Sequence, residues 1–252
     1  MLTIKELSSA LSPLIAHRGA SALAPENTLS AFQKAKEMGA KWVEFDVMLA
    51  ACGTPIVIHD ETLERTTNGS GRVDDYSYHD LQKLDAGSWF DAHFAGERIP
   101  TLIEVVDLLN KQQLFANIEI KPIAGKEEET VVKVLEIIEQ CWQKNKFPPL
   151  ISSFSRPVLY SVRKHSQTAL LGFLLNQWYS DWEAVCDELQ CLTVHVNQRI
   201  LTLEKSELIK KTGRLLLSYT IDNEKSARQL FSLGVDAIFS NCPDAMRVFL
   251  NR

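Results

Sequence analysis

Trp42-Val43-Glu44-Phe45-Asp46-Val47 alternates with a period of two: Glu44 and Asp46 fall on one side, Val43, Phe45 and Val47 on the other. Successive side chains of a β-strand point to opposite faces, so two carboxylates project the same way from an apolar strand. Phe115-Ala116-Asn117-Ile118-Glu119-Ile120-Lys121 repeats the arrangement, with Asn117, Glu119 and Lys121 on one face and Ala116, Ile118 and Ile120 on the other. Polar groups on one face of apolar strands suit a barrel that turns that face inward.

Strands are expected over Leu14–His17, Trp42–Val47, Pro55–His59, Phe115–Lys121, Leu150–Ser153, Leu170–Leu174, Leu192–Val196, Arg214–Tyr219 and Ala237–Ser240. Helices are expected over Leu29–Met38, Leu102–Asn110, Glu128–Gln143, Pro157–His165, Trp182–Leu189, Leu203–Lys210 and Glu224–Leu233. Strands alternating with amphipathic helices indicate parallel βα units rather than an antiparallel sandwich. The supply fits a closed α/β barrel with one strand to spare, and one barrel accounts for a chain of 252 residues as a single domain. Between Glu61 and Pro100 the rhythm breaks into a polar stretch too long for an ordinary loop, read as an insertion capping one end. Its aromatics, Tyr76, Tyr78, Trp89, Phe90 and Phe94, are expected to pack it down, with lining of a pocket as the other reading.

Composition excludes several function classes. A formal net charge of -5 gives no field to draw in nucleic acid or anionic membrane, so an anionic substrate must be met by local cations. No apolar run approaches the roughly 18 to 20 residues needed to span a bilayer, and no stable membrane association is expected. Charges interrupt Met1-Leu2-Thr3-Ile4-Lys5-Glu6-Leu7, which is therefore not read as a leader. Cys52, Cys141, Cys186, Cys191 and Cys242 form an odd, scattered set without a CxxC pair, read as reduced thiols of a cytoplasmic protein.

Buried charges are costly unless paired or bound to metal. Glu44, Asp46 and Glu119 converging from strand ends therefore suggest either a hard divalent cation, Mg²⁺ or Ca²⁺, or a buried ion pair with Lys121. His17 and His59 each follow an apolar strand, which in a parallel barrel places both at the C-terminal rim where active sites gather. Beside them stand Arg18, able to hold two phosphate oxygens, and Asp60. Imidazoles exchange protons near neutral pH, so the set suits phosphoester cleavage. Gly19 would let backbone approach a ligand, and Thr28 is expected to cap the helix after it. His79, His93 and His165 are given no catalytic role. His195 shares a strand face with Thr193 and Asn197 and is read as structural.

The ordered set His17-Arg18-Gly19, Pro25-Glu26-Asn27-Thr28, Glu44-Phe45-Asp46, His59-Asp60, Leu63-Glu64-Arg65-Thr66-Thr67 and Asn117-Ile118-Glu119-Ile120-Lys121 resembles the glycerophosphodiester phosphodiesterase family. Asp85-Ala86-Gly87-Ser88-Trp89-Phe90, Ile99-Pro100-Thr101-Leu102, Ser152-Ser153-Phe154 and Gly234-Val235-Asp236 extend the likeness, towards the bacterial cytosolic members, over nearly the whole chain. The resemblance implies a TIM-type (β/α)8 barrel with residues 61–100 as its inserted segment. It implies Glu44, Asp46 and Glu119 as ligands of Mg²⁺ or Ca²⁺, His17 and His59 as general acid and base, and Arg18 and Lys121 as phosphate-binding cations. The family's aromatic-Thr-x-Asn becomes Tyr219-Thr220-Ile221-Asp222, in which Tyr219 can wall the glycerol and Asp222 adds a charge. The expected reaction is metal-dependent hydrolysis of glycerophosphodiesters, such as glycerophosphocholine or glycerophosphoethanolamine, to sn-glycerol 3-phosphate and an alcohol, by a monomer or homodimer. Two alternatives stand beside it: a phospholipase-like head-group diesterase, and a catalytically silent module that binds a phosphorylated ligand.

Overall fold

The computed structural model describes residues 2–249. Helix α1 (Ile4–Ala10) precedes β1 (Leu14–His17), α2 (Leu29–Glu37), β2 (Trp42–Leu49), β3 (Pro55–Val57) and the short α3 (Tyr78–Leu81). Then follow α4 (Leu102–Gln112), β4 (Phe115–Ile120), α5 (Glu127–Cys141), β5 (Leu150–Ser153), α6 (Arg156–His165) and β6 (Leu170–Leu175). The chain continues through α7 (Trp182–Glu188), β7 (Thr193–Asn197), α8 (Leu203–Lys211), β8 (Leu215–Tyr219), α9 (Glu224–Ser232) and β9 (Ala237–Ser240). Eight parallel strands pair in the order β1-β2-β4-β5-β6-β7-β8-β9, and β9 returns to β1, closing a TIM-type barrel.

The spare strand is β3. It pairs antiparallel with β2, Val47 opposite Val57 and Leu49 opposite Pro55, so it lies outside the barrel. This corrects the expectation that His59 follows a barrel strand. Strand β2 overshoots the barrel, turns at Gly53, and the hairpin returns the chain until Ile58 N donates to Asp46 O at 3.1 Å. His59 thus reaches the same rim as His17 by coming back along β2.

Strand parity divides two cores. Val43, Phe45 and Val47 face outward and pack with Phe32 of α2 and Val105 and Val106 of α4. Inside, Ile15, Trp42, Leu150, Leu170 and Leu217 fill the N-terminal half of the barrel with Leu7 of α1. The opening segment, set aside as charge-interrupted, is therefore a helix: Thr3 and Glu6 form a reciprocal capping box and Leu7 is fully buried. With the floor apolar, the polar inward residues of β1 and β2, His17, Glu44 and Asp46, come two and four residues further along, towards the C-terminal mouth.

Residues 58–101 form a separate lobe on the β2–β3 hairpin, with Met48, Ile56, Leu63, Val73, Leu81 and Ile99 as its own small core. Trp89, Phe90 and Phe94 pack edge-on against one another. Tyr78 donates to Ile99 O, and none of the five aromatics lines the cavity at the barrel mouth. Gly19 packs tightly against α2. At φ +81° its Cα lies so close to α2 that a Cβ would sit 2.6 Å from the Ala31 carbonyl carbon. Thr28 caps that helix by accepting from Ala31 N.

Candidate active site

Register places the carboxylates. Glu44 lies opposite Asn117 and Asp46 opposite Glu119 on adjacent parallel strands, all facing inward. Ligand oxygens of Glu44, Asp46 and Glu119 lie within 4.8 Å of one another, and the residues are only 2%, 1% and 8% exposed. Three negative charges at that separation in a poorly solvated place repel strongly. Burial first, then Asp46 and Glu119, drive the Glu44 pKa well above the ordinary carboxylate value. Burial likewise pushes Glu119 up to about 7, although Lys121 opposes it. Burial also opposes charge on Asp46, but Lys121 and Arg18 outweigh it and hold its carboxyl below the usual range.

Lys121 Nζ stands 3.3 Å from Glu119 Oε1 and 3.7 Å from Asp46 Oδ1, and Arg18 Nε is 3.4 Å from Asp46 Oδ2. The ion-pair reading of Lys121 is thus part of the arrangement, but it is insufficient. Among the described residues Glu44 Oε1 remains buried without a hydrogen-bond partner, as does Asn117 Oδ1 beside it, and Glu119 Oε1 has only the Lys121 ammonium at 3.3 Å. Arg18 divides its charge with Glu26, its Nη1 2.7 Å from Glu26 Oε1. An all-oxygen donor set with orphaned acceptors and an excess of negative charge fits a hard divalent cation.

Both histidines stand at this cluster. His17 Nε2 is 3.8 Å from Glu44 Oε2, and its Nδ1 is 2.7 Å from Asn241 Oδ1. Burial, with Arg18 adding to it, lowers the His17 pKa to about 4. His59 Nδ1 lies 2.5 Å from Asp60 Oδ1, and burial lowers its pKa although Asp46 opposes the shift. Asp60 is itself gripped by Arg65, whose Nε is 2.5 Å from Asp60 Oδ2. Asn27 clamps Asp46 twice, donating from Nδ2 to Oδ2 at 2.9 Å and accepting from the Asp46 backbone N–H at 3.3 Å. Arg18 at φ 55° and Asn27 at φ 60° hold left-handed backbone, a strained choice for non-glycine residues that the hydrogen bonds around them sustain.

His17, Arg18, Glu44, His59, Glu119, Lys121 and Tyr219 line one cavity of about 350 Å³, while Asp46 lies just beneath. Phe154 and Leu174 give this cavity an apolar side, with the Tyr219 ring edge-on to Phe154 at 5.8 Å. Asn197, Gln198 and Arg199 give it a polar rim. An adjoining hollow shares His59, Glu119, Lys121 and Phe154 and continues past Met48 and Glu61. His195 does not line the cavity; it is fully buried below it.

Sequence reasoning gave no role to Glu26, Arg65 or Asn241. The first two sit inside quoted motifs, and Asn241 directly follows β9 while His17 is the last residue of β1, so position at a strand end was the available signal. That Glu26 and Arg65 meet across 39 positions depends on the folded insertion.

Residues 17–245 match the glycerophosphoryl diester phosphodiesterase family. A glycerophosphodiester phosphodiesterase of Caldanaerobacter subterraneus subsp. tengcongensis is 36% identical, covering 92% of this chain and 95% of its own. One from Bacillus subtilis is 34% identical over 91% and 83% of the two chains. The fold superposes with a TM-score of 0.93 on an Oleispira antarctica phosphodiesterase in complex with the product sn-glycerol-3-phosphate, at 36% identity and over 97% of this chain and 98% of that one. Sequence, fold and the gathering of the motif residues in one cavity agree, and the chain belongs to the glycerophosphoryl diester phosphodiesterase family of hydrolases.

Proposed function

We propose that the protein hydrolyses water-soluble glycerophosphodiesters, glycerophosphocholine and glycerophosphoethanolamine among them, to sn-glycerol 3-phosphate and a free alcohol. The observation that carries the reading is the placement of His17 and His59 on one cavity with Arg18 and Lys121, around the buried Glu44, Asp46 and Glu119. The product complex of the Oleispira relative supports the substrate class. Two compartments meeting at His59 and Lys121 suit a diester, whose phosphate carries two substituents.

Glu44, Asp46 and Glu119 would hold Mg²⁺ or Ca²⁺, which when bound supplies positive charge against the diester oxygens and the more negative transition state. Arg18 and Lys121 bind the remaining phosphate oxygens and fix the orientation of the ester. One imidazole takes the proton of the attacking oxygen as its bond to phosphorus forms. The other donates a proton to the departing alkoxide, a poor leaving group without it. Attack by water, or by the neighbouring glycerol hydroxyl through a cyclic phosphate, uses the same two residues. Tyr219, fixed by its hydroxyl on Leu175 O at 2.9 Å, offers an apolar wall to the glycerol. Residues 1–252 act as one catalytic unit with the 61–100 insertion supplying Arg65, and the unpaired cysteines support a cytoplasmic setting.

The test is release of glycerol 3-phosphate from glycerophosphocholine by metal-stripped protein after addition of Mg²⁺, Ca²⁺ or Mn²⁺, followed with a coupled dehydrogenase. Metal-restored release supports the reading. Silence towards several soluble diesters, with activity on phospholipid vesicles instead, would replace it with a lipid head-group diesterase.

A further inference from the structure

We propose that Asp222 and Asn241 form a positioning relay that holds neutral His17 in the tautomer protonated on Nδ1, so that Nε2 is the nitrogen that exchanges protons in the cavity. The inference deepens the function proposed above and rests on it for its catalytic consequence.

The Asp222 carboxylate can only accept. Its Oδ1 takes the Asn241 backbone N–H at 2.7 Å and the Ser240 hydroxyl at 3.1 Å, and its Oδ2 faces the Asn241 side-chain amide at 2.8 Å. The atom of Asn241 that meets Oδ2 must therefore be its NH₂ group, which removes the usual ambiguity of an amide's orientation. The Asn241 carbonyl oxygen is then directed at His17 Nδ1, 2.7 Å away. A carbonyl oxygen also only accepts, so Nδ1 must carry the hydrogen. Nε2, 3.8 Å from Glu44 Oε2 and on the cavity, is left with the lone pair. The Ser21 hydroxyl, 2.8 Å from Asn241 Oδ1 and 2.7 Å from the His17 carbonyl, has a single hydrogen to give to one of these two acceptors at a time. The charge that Asp222 brings, unexplained in the sequence, is thus spent on two N–H groups of Asn241.

Asp222→Asn puts this to the test because an amide both donates and accepts. If its oxygen keeps the Asn241 backbone N–H, its NH₂ meets the Asn241 NH₂, and the Asn241 amide must turn over and offer a donor to His17. The swapped pair Asp222→Asn with Asn241→Asp restores the logic: the new amide donates to the new carboxylate, which again accepts from Nδ1. The measurement is the ¹⁵N spectrum of histidine-labelled protein at pH 8, with His17 assigned by its loss in His17→Gln, beside kcat and KM for glycerophosphocholine.

Wild type is expected in the Nδ1–H form. Asp222→Asn should show mixed or inverted tautomers and lose about tenfold or more in kcat with little change in KM, and the swap should recover both. A wild-type His17 protonated on Nε2 would overturn the inference, as would Asp222→Asn with an unchanged spectrum. Failure of the swap to restore the tautomer, with both variants folded, would also overturn it. Protein inactive on every diester but showing Nδ1–H would leave the relay standing and remove the reaction assigned to it.

Discussion

Arg65 meets both oxygens of Glu26, through Nη1 at 2.7 Å and Nη2 at 2.8 Å, while its Nε and Nη2 hold Asp60 at 2.5 and 3.0 Å. Glu26 is the partner of Arg18, and Asp60 is the partner of His59. One guanidinium therefore joins the carboxylates that orient Arg18, the proposed phosphate-binding cation, and the His59 imidazole. Lysine carries the charge but lacks the planar fork needed to grip two carboxylates at once. Arg65→Lys should keep the fold and reduce kcat about tenfold, and Arg65→Ala should reduce it further. Circular dichroism and steady-state kinetics check this; wild-type turnover in Arg65→Lys would show that the links are not needed.

His17→Ala and His59→Ala should each lower turnover by about 10² to 10⁴, the ordinary range for loss of a general acid or base. Both side chains are at the mouth rather than in the floor, so melting temperatures should stay near that of wild type. Full activity in both variants would sink the mechanism.

Glu44, Asp46 and Glu119 make opposite predictions for the metal-free and metal-loaded protein. Without a cation, burial and then the neighbouring Asp46 and Glu119 disfavour charge on Glu44, a cost that Glu44→Gln removes. The variant should melt above wild type in chelator. Added Mg²⁺ or Ca²⁺ should raise the melting temperature of wild type by mass action and leave the variant nearly unmoved. Thermal melts with and without cation decide it, and equal cation-induced shifts would exclude Glu44 as a ligand.

Much of this architecture was legible in the residues because barrel parity is local: the alternation that marks Trp42–Val47 as a strand also faces Glu44 and Asp46 inward. Helix ends in the structure lie within two residues of those expected, since caps such as Thr28 and Thr101 are local too. Three kinds of feature were not legible. Pro55–His59 has the composition of a barrel strand, and only its short connection to β2 makes it a hairpin arm; apolar runs do not announce their direction. Glu26 with Arg65, and Asp222 with Asn241 and His17, meet through tertiary packing that no spacing encodes. The opening helix was hidden because Lys5 and Glu6 interrupt its apolar residues, although buried Leu7, with Ile4 and Ala10 packed beside it, anchors it to the barrel floor.

His195 gives the protein a pH dependence unrelated to turnover. It stands fully buried inside the barrel, where Gly172 leaves it room: a Cβ there would lie 2.6 Å from His195 Nε2. Nε2 pairs with the Thr193 hydroxyl at 2.8 Å, and Nδ1 has no partner. Burial lowers the pKa from 6.5 to about 3. Between those values the unfolded chain binds a proton that the folded protein refuses, so the contribution of His195 is complete above pH 6.5 and is lost as pH falls towards 3. The slope is about 1.4 kcal/mol per pH unit, or about 2 kcal/mol between pH 6.5 and 5. His195→Gln, which cannot take up that proton, should be less stable than wild type at pH 7.5, and the gap should narrow by about 2 kcal/mol at pH 5. Urea unfolding of both proteins at the two pH values measures the gap, and a constant difference would show that the imidazole is charged, or reached by water, in the folded barrel.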